Sequence, residues 1–250
     1  MTFFKNLFSN FVTGVFLGVE MTFIFILGVD SSISEKLVEN WFSVWAVSIA
    51  LFSAALALAG VMVQVEQTSS EARELRKRKL QSARAFLPSA LSSSCQTILT
   101  GLKSSSLFFQ SERNEEDAQS LARSIEELYF SDEVVTVFRD VLENVEEQSV
   151  SDRIEVMLRE FQIHRSRTQS LVKDYRFMAK PETHLSELII GWAFVYALTS
   201  SLFDFSRRKS EGIEAAVGVD EIFNSFNVAS LHNLSLPNSK QIAENYATNS

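Results

Sequence analysis

WFSVWAVSIALFSAALALAGVMVQV, residues 41–65, carries no charged side chain. A hydrocarbon core about 30 Å thick is crossed by roughly 20 apolar residues in helix. The run is therefore long enough to be a transmembrane helix. A short polar stretch follows, and then Arg73, Arg76, Lys77, Arg78, Lys79 and Arg84 against Glu71 and Glu74. The segment before it, with Asp30, Glu35, Lys36 and Glu39, has little basic charge. Lys and Arg collect on the cytoplasmic side of a span. The expected orientation thus puts everything after residue 65 in the cytoplasm. Trp41 and Trp45 stand at the opposite end, where indole rings favour the headgroup level.

Working outward towards the N-terminus, a second apolar run covers about 8–29, with Lys5 before it and a loop of about ten residues after it. Two spans return the chain to its starting side, so both termini are expected in the cytoplasm. A cleaved signal peptide competes for the first run, but the apolar region is long and no small-x-small site follows. Cleavage would leave the placement of the C-terminal region unchanged. Gly14 and Gly18 form a GxxxG, and Ala46, Ala50 and Ala54 share one helix face. Small residues let membrane helices approach closely. This face can pack on the first span or on a second copy. Glu20 lies mid-span, where an ionised side chain costs about 2.5–3.5 kcal/mol on insertion scales. Three roles are open to it: a neutral or hydrogen-bonded partner of Ser48 or Ser53, a charge partner for another membrane protein, or a pore-lining or proton-carrying group.

Working outward towards the C-terminus, few glycines (8) and prolines (3) among 250 residues favour helices over a turn-rich β fold. Leu75, Leu80, Ala83, Phe86, Leu87, Ala90, Leu91, Ile98 and Leu102 recur near helical spacing. They predict that the span continues into a basic helical stalk over 67–110, with Pro88 as a site for a kink. A polar break over 103–116 is expected next, with Phe108 and Phe109 buried. Ala118, Leu121, Ala122, Ile125 and Leu128 form one stripe, and Val134, Val135, Phe138, Val141, Leu142 and Val145 another, capped by Ser131. Ser149 and Asp152 suggest a capping box before a longer helix bearing Ile154, Met157, Leu158, Phe161, His164, Thr168, Leu171 and Tyr175.

Pro181 opens a helix whose residues 188–203 are apolar nearly all round. It is read as the central helix of the soluble domain, with a third membrane span as the competitor. An amphipathic piece with Ile222, Phe223, Phe226, Val228 and Leu231 follows Gly212 and Gly218. Residues 236–250 are expected to be a mobile polar tail.

Chemistry is sparse. There is no phosphate-loop, dinucleotide, nucleophile-elbow, HExxH or CxxC motif. His164, His184 and His232 are far apart; His184-x-x-Glu187 occurs once, whereas a di-metal bundle wants Glu-x-x-His twice. His164 is read as a partly buried, hydrogen-bonded core histidine, with a metal ligand as the competitor, and Cys95 as a small helix-facing residue. No catalytic residue, metal ligand or cofactor is predicted. A formal charge of −8 argues against nucleic acid as a partner.

The expectation is an all-α membrane protein with two N-terminal transmembrane helices, the second continuing into a cytoplasmic α-helical domain. Its parts are a two-span module over 1–66, the stalk over 67–110, a bundle over 111–235 and the tail. Location in a plasma or inner membrane is expected. The basic run serves as topology signal and as a contact for anionic lipid headgroups. Two functions fit. One is a non-enzymatic membrane-anchored accessory protein that docks a membrane or cytoplasmic partner. The other is a homo-oligomeric channel, or a membrane-perturbing effector, with a cytoplasmic sensing domain.

Overall fold

The computed structural model describes residues 41–111, 114–174, 181–213 and 216–248, and every regular element among them is a helix. In order these are α1 (Trp41–Gln110), α2 (Glu115–Glu126), α3 (Asp132–Asn144), α4 (Gln148–Asp174), α5 (Pro181–Ser201), α6 (Phe203–Ser206), α7 (Val219–Val228) and α8 (Ser239–Thr248). The chain divides into two compact units, Met1–Glu71 and Ala72–Ser250, and the division falls inside α1. Glu20, Gly14 and Gly18 lie outside the described residues.

The second unit is built around α5. Its composition leaves no polar face: Leu185, Ile189, Ile190, Trp192, Val195 and Leu198 are all buried. A helix apolar on every side has to be surrounded, and α5 packs against α4, α7 and α8. Each large side chain buried this way contributes about 1.5–3 kcal/mol relative to an exposed one. The hydroxyls of α5 do not disturb this. Ser186, Thr199 and Ser201 donate to Glu182 O, Val195 O and Leu198 O, each at 2.8 Å. These three hydroxyls are thus satisfied within the helix, while Trp192 Nε1 donates to Thr168 Oγ1 of α4 at 3.3 Å.

Local signals place the smaller helices. Asn114 and Asp117 form a reciprocal capping box at the start of α2, with Asn114 Oδ1 accepting from Asp117 N at 2.9 Å. Ser131 caps α3, as its sequence position predicts. The stripes on α2, α3 and α4 face inward through Leu121, Ile125, Phe138, Val141, Ile154, Met157 and Phe161. An aromatic seam ties them together. Phe130 stacks on Phe161 at 4.1 Å, and Phe161 meets Trp192 edge-on at 5.7 Å.

Four expectations are corrected. Residues 83–108 of α1 are not a free stalk. Ala83, Leu87, Leu91, Ile98, Leu102 and Phe108 belong to the core, because the 3.6-residue stripe that begins at Leu80 is the inward face of a bundle helix. A Cβ built at Gly101 would meet the Trp192 ring at 3.0 Å, so the two helices touch where α1 has no side chain. The break predicted from 103 onward begins only after Gln110, since Ser106 donates back to Leu102 O at 2.8 Å and does not compete with the helix.

Ser149 is not an N-cap. It lies inside α4, and its hydroxyl accepts the Ile213 amide at 3.2 Å, fastening the segment before α7. The tail is not free either. Ser239–Thr248 is α8, with Ile242 and Ala243 buried and Tyr246 stacked on Phe194 at 5.0 Å.

Candidate functional site

Two helical stretches among the described residues are long and apolar enough to cross a membrane, and their surroundings differ. Glu182–Ser206 has a mean hydropathy of 1.6, with 72% of its apolar window buried inside the protein. It is the core helix just described. The apolar window in α1 has a mean hydropathy of 2.0 and is 0% buried. Val47, Ile49, Phe52, Leu56, Leu58 and Val61 are all exposed, and so are Met62, Val63 and Val65. At about 100° per residue these side chains spread over much of the circumference, and a narrower face with Ser48, Ala55 and Ala59 is half-covered. Ala50, Ser53 and Ala54 are exposed as well, and Ser48 is half-exposed. Ala46 lies on the same helix. So long a run of uncovered apolar side chains is foreign to a water-facing helix, because monomeric soluble proteins rarely leave contiguous apolar patches of more than a few hundred Å² in water.

The basic run begins beyond this stretch. Arg73, Arg76, Lys77, Arg78 and Lys79 are exposed. Arg78 lies 3.6 Å from Glu74, one turn away, a pair worth little in water. Arg84, grouped with them by sequence, is engaged elsewhere. Its side chain is only 8% exposed. Nε donates to Phe205 O at 2.7 Å and Nη2 to Ser210 O at 2.8 Å. Nη1 stands 3.5 Å from Glu211, and the guanidinium carbon lies 4.1 Å above the Phe205 ring. Arg84 therefore fastens α1 to the loop after α6. Sequence reasoning missed this, although Arg84 stands on the helix face of Leu80, Leu87 and Leu91.

His164 departs from the partly buried, hydrogen-bonded histidine expected from sequence. It is completely buried, and neither ring nitrogen makes a hydrogen bond. Its ring lies against Gly191, where a Cβ would fall inside the imidazole. Tyr246 and Trp192 rings flank it at 5.6 and 6.3 Å. Burial, and secondarily the charge of Arg167, push its pKa down to about 3. The imidazole is thus neutral near neutral pH, and Glu160 at 3.7 Å is no ion-pair partner there. Burial also pushes the Cys95 thiol up to about 11, against a hydrogen bond with Ser200 that lowers it. The thiolate, which is the nucleophile, is scarce at that pKa.

His184 and His232 are exposed, and His232 contacts Asn227 at 3.1 Å. Among the described residues, no three His, Cys, Asp or Glu side chains come together as a metal site would require. A cleft of about 460 Å³ lies at the end of α5, lined by Tyr196, Ser200, Asp204 and Glu221. Neither histidine nor a basic side chain lines it. Comparison of the chain with protein-family models, curated proteins and solved structures found no match.

Proposed function

We propose that this protein is a membrane-anchored, non-enzymatic accessory protein. In this reading 41–65 crosses the bilayer, preceded by a span over 8–29, and the helical unit from Ala72 onward docks a partner in the cytoplasm. The observation that carries the reading is the apolar window of α1, none of which is buried inside the protein. Lipid is the environment that covers such a helix on all sides. The basic residues at 73–79 supply the orientation.

Gentle extraction from the membrane, followed by measurement of mass and composition, tests the docking role. Stoichiometric recovery with a different protein is the expected result. The second reading, a homo-oligomeric channel, draws on the exposed Ala50 and Ala54, whose spacing leaves a seam for close helix packing. Recovery as a homogeneous multimer of this chain alone would favour it. In that case Glu20→Gln would change conductance without changing assembly.

A further inference from the structure

Arg84 ties the loop after α6, with its own set of cations, to α1 two helical turns from Lys77. We propose that Arg73 and Lys77 of α1, with Arg207, Arg208 and Lys209 of that loop, form a two-sided notch that binds a phosphate-bearing anion. This inference does not depend on whether 41–65 crosses a bilayer.

The helix side follows from geometry. By the 3.6-residue turn, Lys77 and Arg73 lie within about 20° of Arg84 around the axis, and about 10 and 16 Å along it. They therefore continue the face that Arg84 presents to Phe205 and Ser210. Leu80, the next residue on this face, is the last one partly covered by the core. Beyond it, Lys77 and Arg73 are exposed.

The loop side is fixed rather than floppy. Arg208 N donates to Phe205 O at 3.0 Å and Lys209 N to Asp204 O at 2.9 Å. Arg208 itself adopts a left-handed φ of 60°, an uncommon conformation for a residue with a Cβ. The turn thus presents Arg207, Arg208 and Lys209 as consecutive exposed cations. Arg207 rests on the Phe203 ring at 5.0 Å.

Local acids only partly offset this charge. Asp204 stands 3.5 Å from Lys209, with both side chains about two-thirds exposed, and Glu211 faces Arg84. Five exposed basic side chains, Arg73, Lys77, Arg207, Arg208 and Lys209, make up the notch, in a chain of formal charge −8. A notch this basic on an acidic protein concentrates small anions. Guanidinium forks match phosphate oxygens, and the long lysine stems close in from the other side. The phosphoryl group can come from a lipid headgroup or from a soluble polyphosphate.

Titration calorimetry on the full chain in detergent tests the notch, with pyrophosphate and, separately, dihexanoyl-phosphatidic acid as probes. Three double variants are compared. Arg73→Gln with Lys77→Gln removes the helix side. Arg207→Gln with Lys209→Gln removes the loop side. Arg78→Gln with Lys79→Gln removes the same charge from other faces of the helix. These are exposed positions, and unchanged melting curves verify that each variant folds. The expected result is a loss of about tenfold or more in affinity for each of the first two, and about twofold or less for the third. Tighter binding of pyrophosphate would identify a soluble ligand, and tighter binding of the lipid would identify a headgroup. Equal losses in all three variants, or no measurable binding of either probe to the wild type, would overturn the proposal.

Discussion

His164 concentrates the residue-scale physics. Its folded pKa is about 3 against an ordinary 6.5, because burial disfavours the charged ring. As pH falls below about 6.5 the unfolded chain takes up a proton that the folded chain refuses. The stability contributed by the neutral ring is therefore complete above about pH 6.5 and drains away as pH drops towards 3. Between pH 8 and pH 5 the wild type should lose about 2 kcal/mol more than His164→Leu, read from urea unfolding at each pH. Parallel curves for the two proteins would contradict this account. Gly191→Ala should cost about 1–3 kcal/mol, since the new methyl group and the imidazole compete for one place. In His164→Ala the same glycine change should cost much less. The denaturation midpoints of the four proteins in that cycle measure the coupling.

At the scale of elements, the Arg84 contacts make a prediction of their own. Arg84→Met keeps the aliphatic stem but takes the guanidinium donor from the Ser210 carbonyl and leaves the Phe205 carbonyl with the Arg208 amide alone. The expected cost is about 2–3 kcal/mol in unfolding free energy. Hydrogen exchange should rise in the 205–211 loop, whereas the α2 and α3 amides should be unaffected; a uniform rise would mean that Arg84 is not a local fastener.

The elements legible in the sequence were those with enough apolar residues to draw a stripe. The inward faces of α2, α3 and α4, and the all-round burial of α5, follow directly from spacing. Helix α8 escaped because Ser239–Thr248 is mostly polar. Its signal was small: Ile242, Ala243, Tyr246 and Ala247 repeat at i, i+1, i+4 and i+5. The depth of α1 in the bundle was hidden by its serines and threonines, which resemble a loop composition but bond back to their own helix. Pairings such as Arg84 with Phe205 join residues 121 positions apart, and no local pattern encodes them. The candidate site was legible only as polarity, apolar run followed by basic run. The division of labour inside the basic run came from burial alone.

At the scale of the whole molecule, the chain places two apolar helices in opposite circumstances. One is wrapped by its own protein, and nothing in the apolar window of the other is buried. In the proposed reading lipid covers the second, so that 41–65 crosses the bilayer with the helical unit on the cytoplasmic side. The native chain suits a labelling test, because its single cysteine, Cys95, is buried with a thiol pKa of about 11. Wild-type protein should therefore stay unlabelled by a maleimide until the domain is unfolded. The decisive measurement is labelling of Ser31→Cys and Ser70→Cys in intact cells with a membrane-impermeant maleimide. The account predicts that Ser31→Cys reacts from outside, and that Ser70→Cys reacts only after the membrane is permeabilised. Labelling of Ser70→Cys in intact cells, or recovery of the protein in the soluble fraction, would contradict it.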